Sequence, residues 1–535
     1  MSGYLSIQQS SSSSFLPCSS STFASTRSSS SSPSFSRNHQ NEIQMSNNKD
    51  PYKFEASRIL SGMYGLVITL VGIGIINAAV IIPLKTSSKS VSSDSPTPHP
   101  GLNAIYSNSY LVFLSAIGLL FMLPTFAYDV YLYRIYSTSI IGNTSSNTLK
   151  AANRLFGVAA VIYTIMTLVT LLYIIPYNIT YEGITCVCFY FAQLIYLERY
   201  SQVCFRKCLI YKRFGIMHLL STNIVFWCDI VVYDTKEDYY NPGIYPSFNS
   251  SAQDDEHLIL SYLGSARTYV GAFAAEYCLI AVCLLRSMWS NVGRTVIRRN
   301  TENISKHTYP IMKSLYGIIA GVLVLSVIIA LLVCVFVKEF CGYYFEVSVV
   351  VYGVVSVCSL ICVINTNTFE KREGEGGAKP EELTSSVIYD GVLLMFCLSF
   401  FILQTMYTTV SFFIGYKTTH MQHGYLLFVA IWLYFLFPIF QTVLIIIWQT
   451  HSIDRSRRHR LNMNLLIFLS ISNFALWIGE HYELKLVALF RTEAQLYGKY
   501  MWYIIHHITG PFLILYFFHS SVCLFEIWTL FGSMY

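Results

Sequence analysis

Apolar runs of the length needed to cross roughly 30 Å of hydrocarbon, about 17–25 residues, can be placed twelve times along this chain, the fourth being short. The runs lie near 59–83, 109–132, 155–177, 184–198, 214–233, 267–289, 312–337, 343–364, 387–412, 424–449, 461–481 and 501–530. In lipid every backbone N–H and C=O must be satisfied within its own segment, so such runs become helices. Charged residues make up 12% of the chain, against about a quarter in soluble domains. The expected fold class is an all-α polytopic membrane protein of about twelve transmembrane helices.

The placement of cations sets an expected orientation. The loops that follow the even-numbered runs, together with the inner edges of their spans, hold 21 of the 35 Lys and Arg, against nine on the other side. Lys and Arg accumulate in cytosolic loops, which puts both termini in the cytosol. It also accounts for the net charge of +6 without a nucleic-acid partner. The expected location is the plasma membrane, multi-pass. Residues 1–54 form a Ser-rich tail with too little apolar surface to fold, and the first span, from Ile59, reads as an uncleaved signal anchor. The basic stretch 292–310 reads as a cytosolic linker between an amino-terminal half, 55–291, and a carboxy-terminal half, 311–535.

The two halves look duplicated. Ser221–Trp227 (STNIVFW) returns in outline as Ile471–Trp477 (ISNFALW), and Phe273, Tyr277 and Trp289 recur as Phe512, Tyr516 and Trp528, each 239 positions on. A repeat of six spans keeps both halves in the same orientation. Their polar residues differ, since Glu276 aligns with Leu515 and Ile280 with His519.

No Lys or Arg falls in the middle of a span, so the deep ionisable groups are carboxyls and histidines, which favour protons or cations over anions. Ionisable groups at bilayer depth are expensive and mark pathways or paired networks. The candidates for a proton pathway are His218 and Asp229 in the fifth span, Glu276 in the sixth, Glu480 in the eleventh, and His519 and Glu526 in the twelfth. The alternative for each is an interhelical hydrogen bond with no transport role. Asn223, Trp227, Tyr277, Asn473, Trp477 and Tyr516 read as structural polar clamps between helices. His257, His420, His423, His481, His506 and His507 are placed toward the outside, where imidazole changes charge over physiological pH, and are candidates for sensing acid or zinc. The chain contains no P-loop, H-E-x-x-H, G-x-S-x-G or dinucleotide fingerprint, so no catalysis, cofactor or resident metal is read from it.

Four segments carry a family resemblance: FGIMHLLSTNIVFW (214–227), AEYCLIAVCLLRSMW (275–289), LNMNLLIFLSISNFALWIGEHYE (461–483) and HHITGPFLILYFFHSSVCLFEIW (506–528). In order and spacing the chain resembles the otopetrin family of proton channels. The resemblance implies a proton-selective channel commonly opened by extracellular acid and blocked by zinc. It also implies a homodimer of subunits with two six-helix halves, sitting among membrane lipids and sterol. One departure stands out: the family usually has Tyr-Arg-x-His-Ser near the end, where this chain has Tyr516-Phe517-Phe518-His519-Ser520. The alternatives kept open are a proton-coupled secondary transporter, which broken helices and a substrate-sized cavity would favour, and a non-conducting receptor or scaffold. Pro124, Pro438 and Pro511 are the prolines deep enough to break a span.

Overall fold

The computed structural model describes residues 51–87, 102–133, 147–174, 180–201, 203, 205, 208–240, 255–293, 311–337, 344–365, 380–419, 424–450, 459–483 and 491–533. The chain divides into two compact units, Met1–Ala56 and Ser57–Tyr535. Of the first, only the opening of one helix is described. The second is a bundle of long helices: α1 (Pro51–Ser87), α2 (Leu102–Tyr133), α3 (Asn147–Ile174), α4 (Thr180–Tyr200), α5 (Leu209–Tyr240), α6 (Asp255–Asn291), α7 (Leu315–Val337), α8 (Tyr344–Asn365), α9 (Pro380–Thr419), α10 (Gly424–Thr450), α11 (His459–Glu483) and α12 (Lys499–Ser533). A short helix, Arg491–Tyr497, precedes α12 and ends at Gly498, whose φ of 82° is the left-handed conformation common just past a helix C-terminus.

Among the described residues, eleven helices are long and apolar enough to cross a membrane. The one that falls short of the expected twelve is α4. It is long enough at 21 residues, but Glu182, Gln193, Glu198 and Arg199 lower its hydropathy. It joins the bundle because its apolar face, with Phe189, Tyr190, Tyr196 and Leu197, is buried between α2 and α3.

Packing follows the sequence repeat. The pairs α3·α4, α2·α4, α2·α5, α3·α6 and α5·α6 have counterparts α9·α10, α8·α10, α8·α11, α9·α12 and α11·α12. Single hydrogen bonds repeat as well. Trp289 Nε1 donates to Ser61 Oγ at 3.0 Å, and Trp528 Nε1 donates to Ser314 Oγ at 3.1 Å. Close approach of α1 to α5 and of α7 to α11 rests on glycines: a Cβ on Gly65 would lie 2.7 Å from Met217, and one on Gly317 would collide with the Asn464 backbone oxygen. Small residues at such contacts let transmembrane backbones approach.

Burial separates the helices by role. The spans of α5, α6, α11 and α12 are 61–78% buried, whereas those of α1 and α7 are 22% buried. The outward faces of α1 and α7, with Leu66, Leu70, Ile319 and Leu323 exposed, are what a lipid-facing rim requires. Helices run unbroken through Pro124, Pro438 and Pro511. The broken spans expected of a transporter are therefore absent among the described helices.

Candidate functional site

The inner four helices each bring polar side chains to depth, and the structure sorts them into local clamps and one contact between halves. In the first half, Asn223 on α5 and Gln193 on α4 exchange two amide hydrogen bonds, both at 2.9 Å. In the second, Asn473 on α11 and Gln441 on α10 do the same at 2.8 and 3.0 Å. Each Asn uses its second amide hydrogen elsewhere: Asn223 on Leu219 O at 2.7 Å, Asn473 on Ser520 Oγ at 2.8 Å. A buried primary amide left unpaired is expensive, and a reciprocal pair satisfies both groups while fixing the register of two helices. The tyrosines join these layers. Gln193 donates to Tyr277 Oη at 3.4 Å, whereas Tyr516 donates to the Pro438 carbonyl at 2.6 Å and contacts Thr442 Oγ1 at 3.1 Å. Asn223, Tyr277, Asn473 and Tyr516 thus all make hydrogen bonds between helices.

The tryptophans sit between the halves. Trp227 on α5 packs against Phe512 on α12, ring centroids 5.4 Å apart, and Trp477 on α11 packs against Phe273 on α6 at 6.1 Å. These are repeat-equivalent pairs, so the interface between halves is built from one contact used twice. The polar content is not shared. On the α6–α11 side, Glu276 Oε1 lies 3.2 Å from His481 Nδ1, and Trp477 Nε1 donates to Glu276 Oε2 at 3.4 Å. Glu276 and His481 are each only 2% exposed, and the His481 ring lies against Phe273, centroids 3.9 Å apart. On the α5–α12 side the matching positions are Val231 and Leu515, both buried and apolar.

The remaining candidate residues fall into separate places. His218 is buried, with Nδ1 3.1 Å from Tyr64 Oη on α1 and Nε2 3.0 Å from the Leu114 carbonyl on α2. Asp229 shares its helix but is half-buried and interacts with Arg267 of α6, so the two do not meet. Glu480 lines a small cleft with Ile328, Leu332, Ser348 and Tyr352. His519 Nε2 lies 3.4 Å from Asp390 Oδ1 on α9 and 3.6 Å from Cys523 Sγ. Glu526 is half-buried.

The structure buries His481, His506 and His507 rather than leaving them on an outer surface. Near the start of α12, Tyr497, Trp502 and His506 stack in sequence, with centroids 6.0 and 6.1 Å apart, and His507 meets His506 edge to face. The side chain of His257 on α6 lies outside the described residues, as do His420 and His423. Sequence reasoning missed Gln193, Gln441, Tyr64 and Asp390. The signal for the two glutamines was available, because each stands alone as an amide inside an otherwise apolar stretch.

A family model described as Otopetrin matches residues 149–261 and 249–518, well over half of the chain. The chain belongs to the otopetrin family. The match takes in both clamps, Glu276 and His481, and ends one residue before His519. Among curated relatives, the chain is 23% identical over 383 residues to a Drosophila melanogaster protein named Proton channel OtopLc, an alignment covering 60% of this chain and 23% of that protein. It is 26% identical over 216 residues to the human Proton channel OTOP3, covering 37% of this chain and 36% of the relative. A shorter stretch of 107 residues is 24% identical to the Danio rerio Proton channel OTOP1, 17% of each chain. The chain thus spans about a quarter and about a third of the length of the first two relatives.

Where the otopetrin pattern usually has Arg, Phe517 fills an aromatic pocket of Phe401, Tyr434 and Phe437, stacked on Phe437 at 5.7 Å. The side chain is fully buried, so this member of the family has packing in place of a cation.

Proposed function

We propose that this otopetrin is a proton channel, passing protons into the cytosol down their electrochemical gradient and opening when the outside is acid. The observation that carries the reading is the Glu276–His481 contact: a carboxyl and an imidazole, both buried, 3.2 Å apart at the junction of the two halves. Both groups exchange protons, and their separation lets a proton pass from one to the other directly. Trp477 steadies the far carboxylate oxygen, so Oε1 stays aimed at the imidazole. The relatives' names as proton channels support the same permeant ion.

In this account His218, Asp229, Glu480 and Glu526 pass protons by way of water on either side of the relay. The halves 55–291 and 311–535, joined by the basic linker 292–310, sit in the plasma membrane with both termini cytosolic, as the cation distribution favours. Two subunits make the channel.

The test is flux from purified protein. Reconstituted in liposomes with an internal pH dye and a potassium diffusion potential, the protein acidifies the lumen when the outside is acid. A rate equal to that of empty liposomes, with incorporation verified, contradicts the proposal.

A further inference from the structure

A second ionisable cluster lies away from the relay, among α9 and α12. Asp390 Oδ1, His519 Nε2 and Cys523 Sγ all lie within 4.8 Å of one another. His519 and Cys523 are buried, and the Asp390 side chain is 28% exposed, leaving one open approach. Two features mark this as more than a hydrogen-bonded group. The same imidazole nitrogen, Nε2, makes both close contacts, 3.4 Å to the carboxylate and 3.6 Å to the sulfur. A ring nitrogen has one proton or one lone pair, and 3.4 Å is long for N–H···O, which favours about 2.7–3.2 Å.

The same distances suit a different geometry. With Zn–N and Zn–O near 2.0–2.2 Å and Zn–S near 2.3 Å, tetrahedral ligand atoms are separated by roughly 3.3–3.6 Å along each edge. The two measured edges fall at those values. Nitrogen, sulfur and oxygen donors in one site are the set that Zn²⁺ accepts, and three protein ligands leave its fourth position open. Cys283 on α6 interacts electrostatically with Asp390, and Glu526 on α12 with Cys523.

We propose that Asp390, His519 and Cys523 form a binding site for a Zn²⁺-type divalent ion, held between α9 and α12. The ion displaces the thiol proton of Cys523 to solvent as the metal–sulfur bond forms. By bonding across two helices it ties α9 to α12 in the second half, where the first half has no equivalent: the repeat partner of His519 is Ile280.

The experiment uses the purified full chain in nanodiscs with Co²⁺ as the optical probe. The expected result is one bound Co²⁺ per chain with a thiolate-to-metal absorption band, abolished by added Zn²⁺. Cys523→Ser removes the band while the elution and melting profiles hold. His519→Gln and Asp390→Asn each weaken binding by more than about tenfold. X-ray absorption on the unmodified zinc form needs no variant, and shows one sulfur at about 2.3 Å with nitrogen and oxygen at about 2.0–2.2 Å. A folded protein that binds no Co²⁺, a band that survives Cys523→Ser, or a zinc shell without sulfur overturns the site. Each of these can occur in a protein that conducts protons, so the failure of this site and the failure of the channel reading are separable.

Discussion

Glu276 and His481 stand 205 residues apart in sequence and 3.2 Å apart in the fold, and their repeat-equivalent positions hold Leu515 and Val231. One interface between halves is therefore polar and the other apolar, although both are framed by the same Trp–Phe pair. The ionisable pair stands on one side only.

That asymmetry predicts a measurable coupling. Interhelical hydrogen bonds in membrane proteins contribute on average about 0.6 kcal/mol, with a maximum near 1.7. A double-mutant cycle of Glu276→Gln and His481→Gln, read by thermal unfolding in detergent, is expected to give a coupling energy in that range. The same cycle on Leu515→Ala and Val231→Ala tests the apolar side and is expected to give less.

The amide clamps predict an uneven response to truncation. Asn473→Ala strands both polar ends of the buried Gln441, and an unsatisfied buried group costs about 1–3 kcal/mol. Replacing both residues together, Asn473→Leu with Gln441→Leu, is expected to destabilise less than the single change. Equal or greater loss in the double variant, measured by denaturation of the purified protein, would count against the clamp.

Glycines provide a sharper steric contrast. Gly317→Ala puts a Cβ against the Asn464 backbone, so α7 must shift, at a cost of about 1–3 kcal/mol for overpacking. A Cβ on Gly74 meets nothing within 4 Å, and Gly74→Ala is expected to be neutral or slightly stabilising, since Ala is favoured over Gly in helices by up to about 1 kcal/mol. Melting temperatures of the two variants decide the matter.

Phe517→Arg restores the residue common in the family but not its surroundings. The guanidinium would enter a pocket lined by the rings of Phe401, Tyr434 and Phe437. A charge at bilayer depth costs at least about 2.5–3.5 kcal/mol. The variant is expected to lose folded yield, whereas Phe517→Leu keeps most of it; fluorescence-detected size-exclusion profiles distinguish the two.

Much of the fold was legible in the sequence because lipid imposes a local rule. Each span must be apolar and helical over its own length, so hydropathy marks eleven of the twelve long helices directly. The α4 helix shows in the sequence only as the short run 184–198, because part of its burial is supplied by neighbouring helices rather than by lipid. The repeat could be read from Phe273, Tyr277 and Trp289 recurring at one offset, since equivalent packing keeps equivalent residues. Partners were not legible. Glu276 was singled out, but nothing on α6 announces His481, which its position near the outer end of a span suggested as a surface sensor. Likewise His519 and Cys523 are an i, i+4 pair on one helix, while Asp390 arrives from another, and interhelical contact leaves no periodic trace.

The most direct test of the relay is whole-cell current recorded together with intracellular pH, with the bath stepped from neutral to acid in the absence of sodium. The unmodified protein is expected to carry an inward current that reverses near the proton equilibrium potential and acidifies the cytosol. Glu276→Gln, at matched surface expression, is expected to lower it at least about tenfold, because a positioned proton-transfer group contributes on the order of 10²–10⁴ to a rate. A current of undiminished size in Glu276→Gln would contradict the relay, and no current in the unmodified protein would contradict the channel itself.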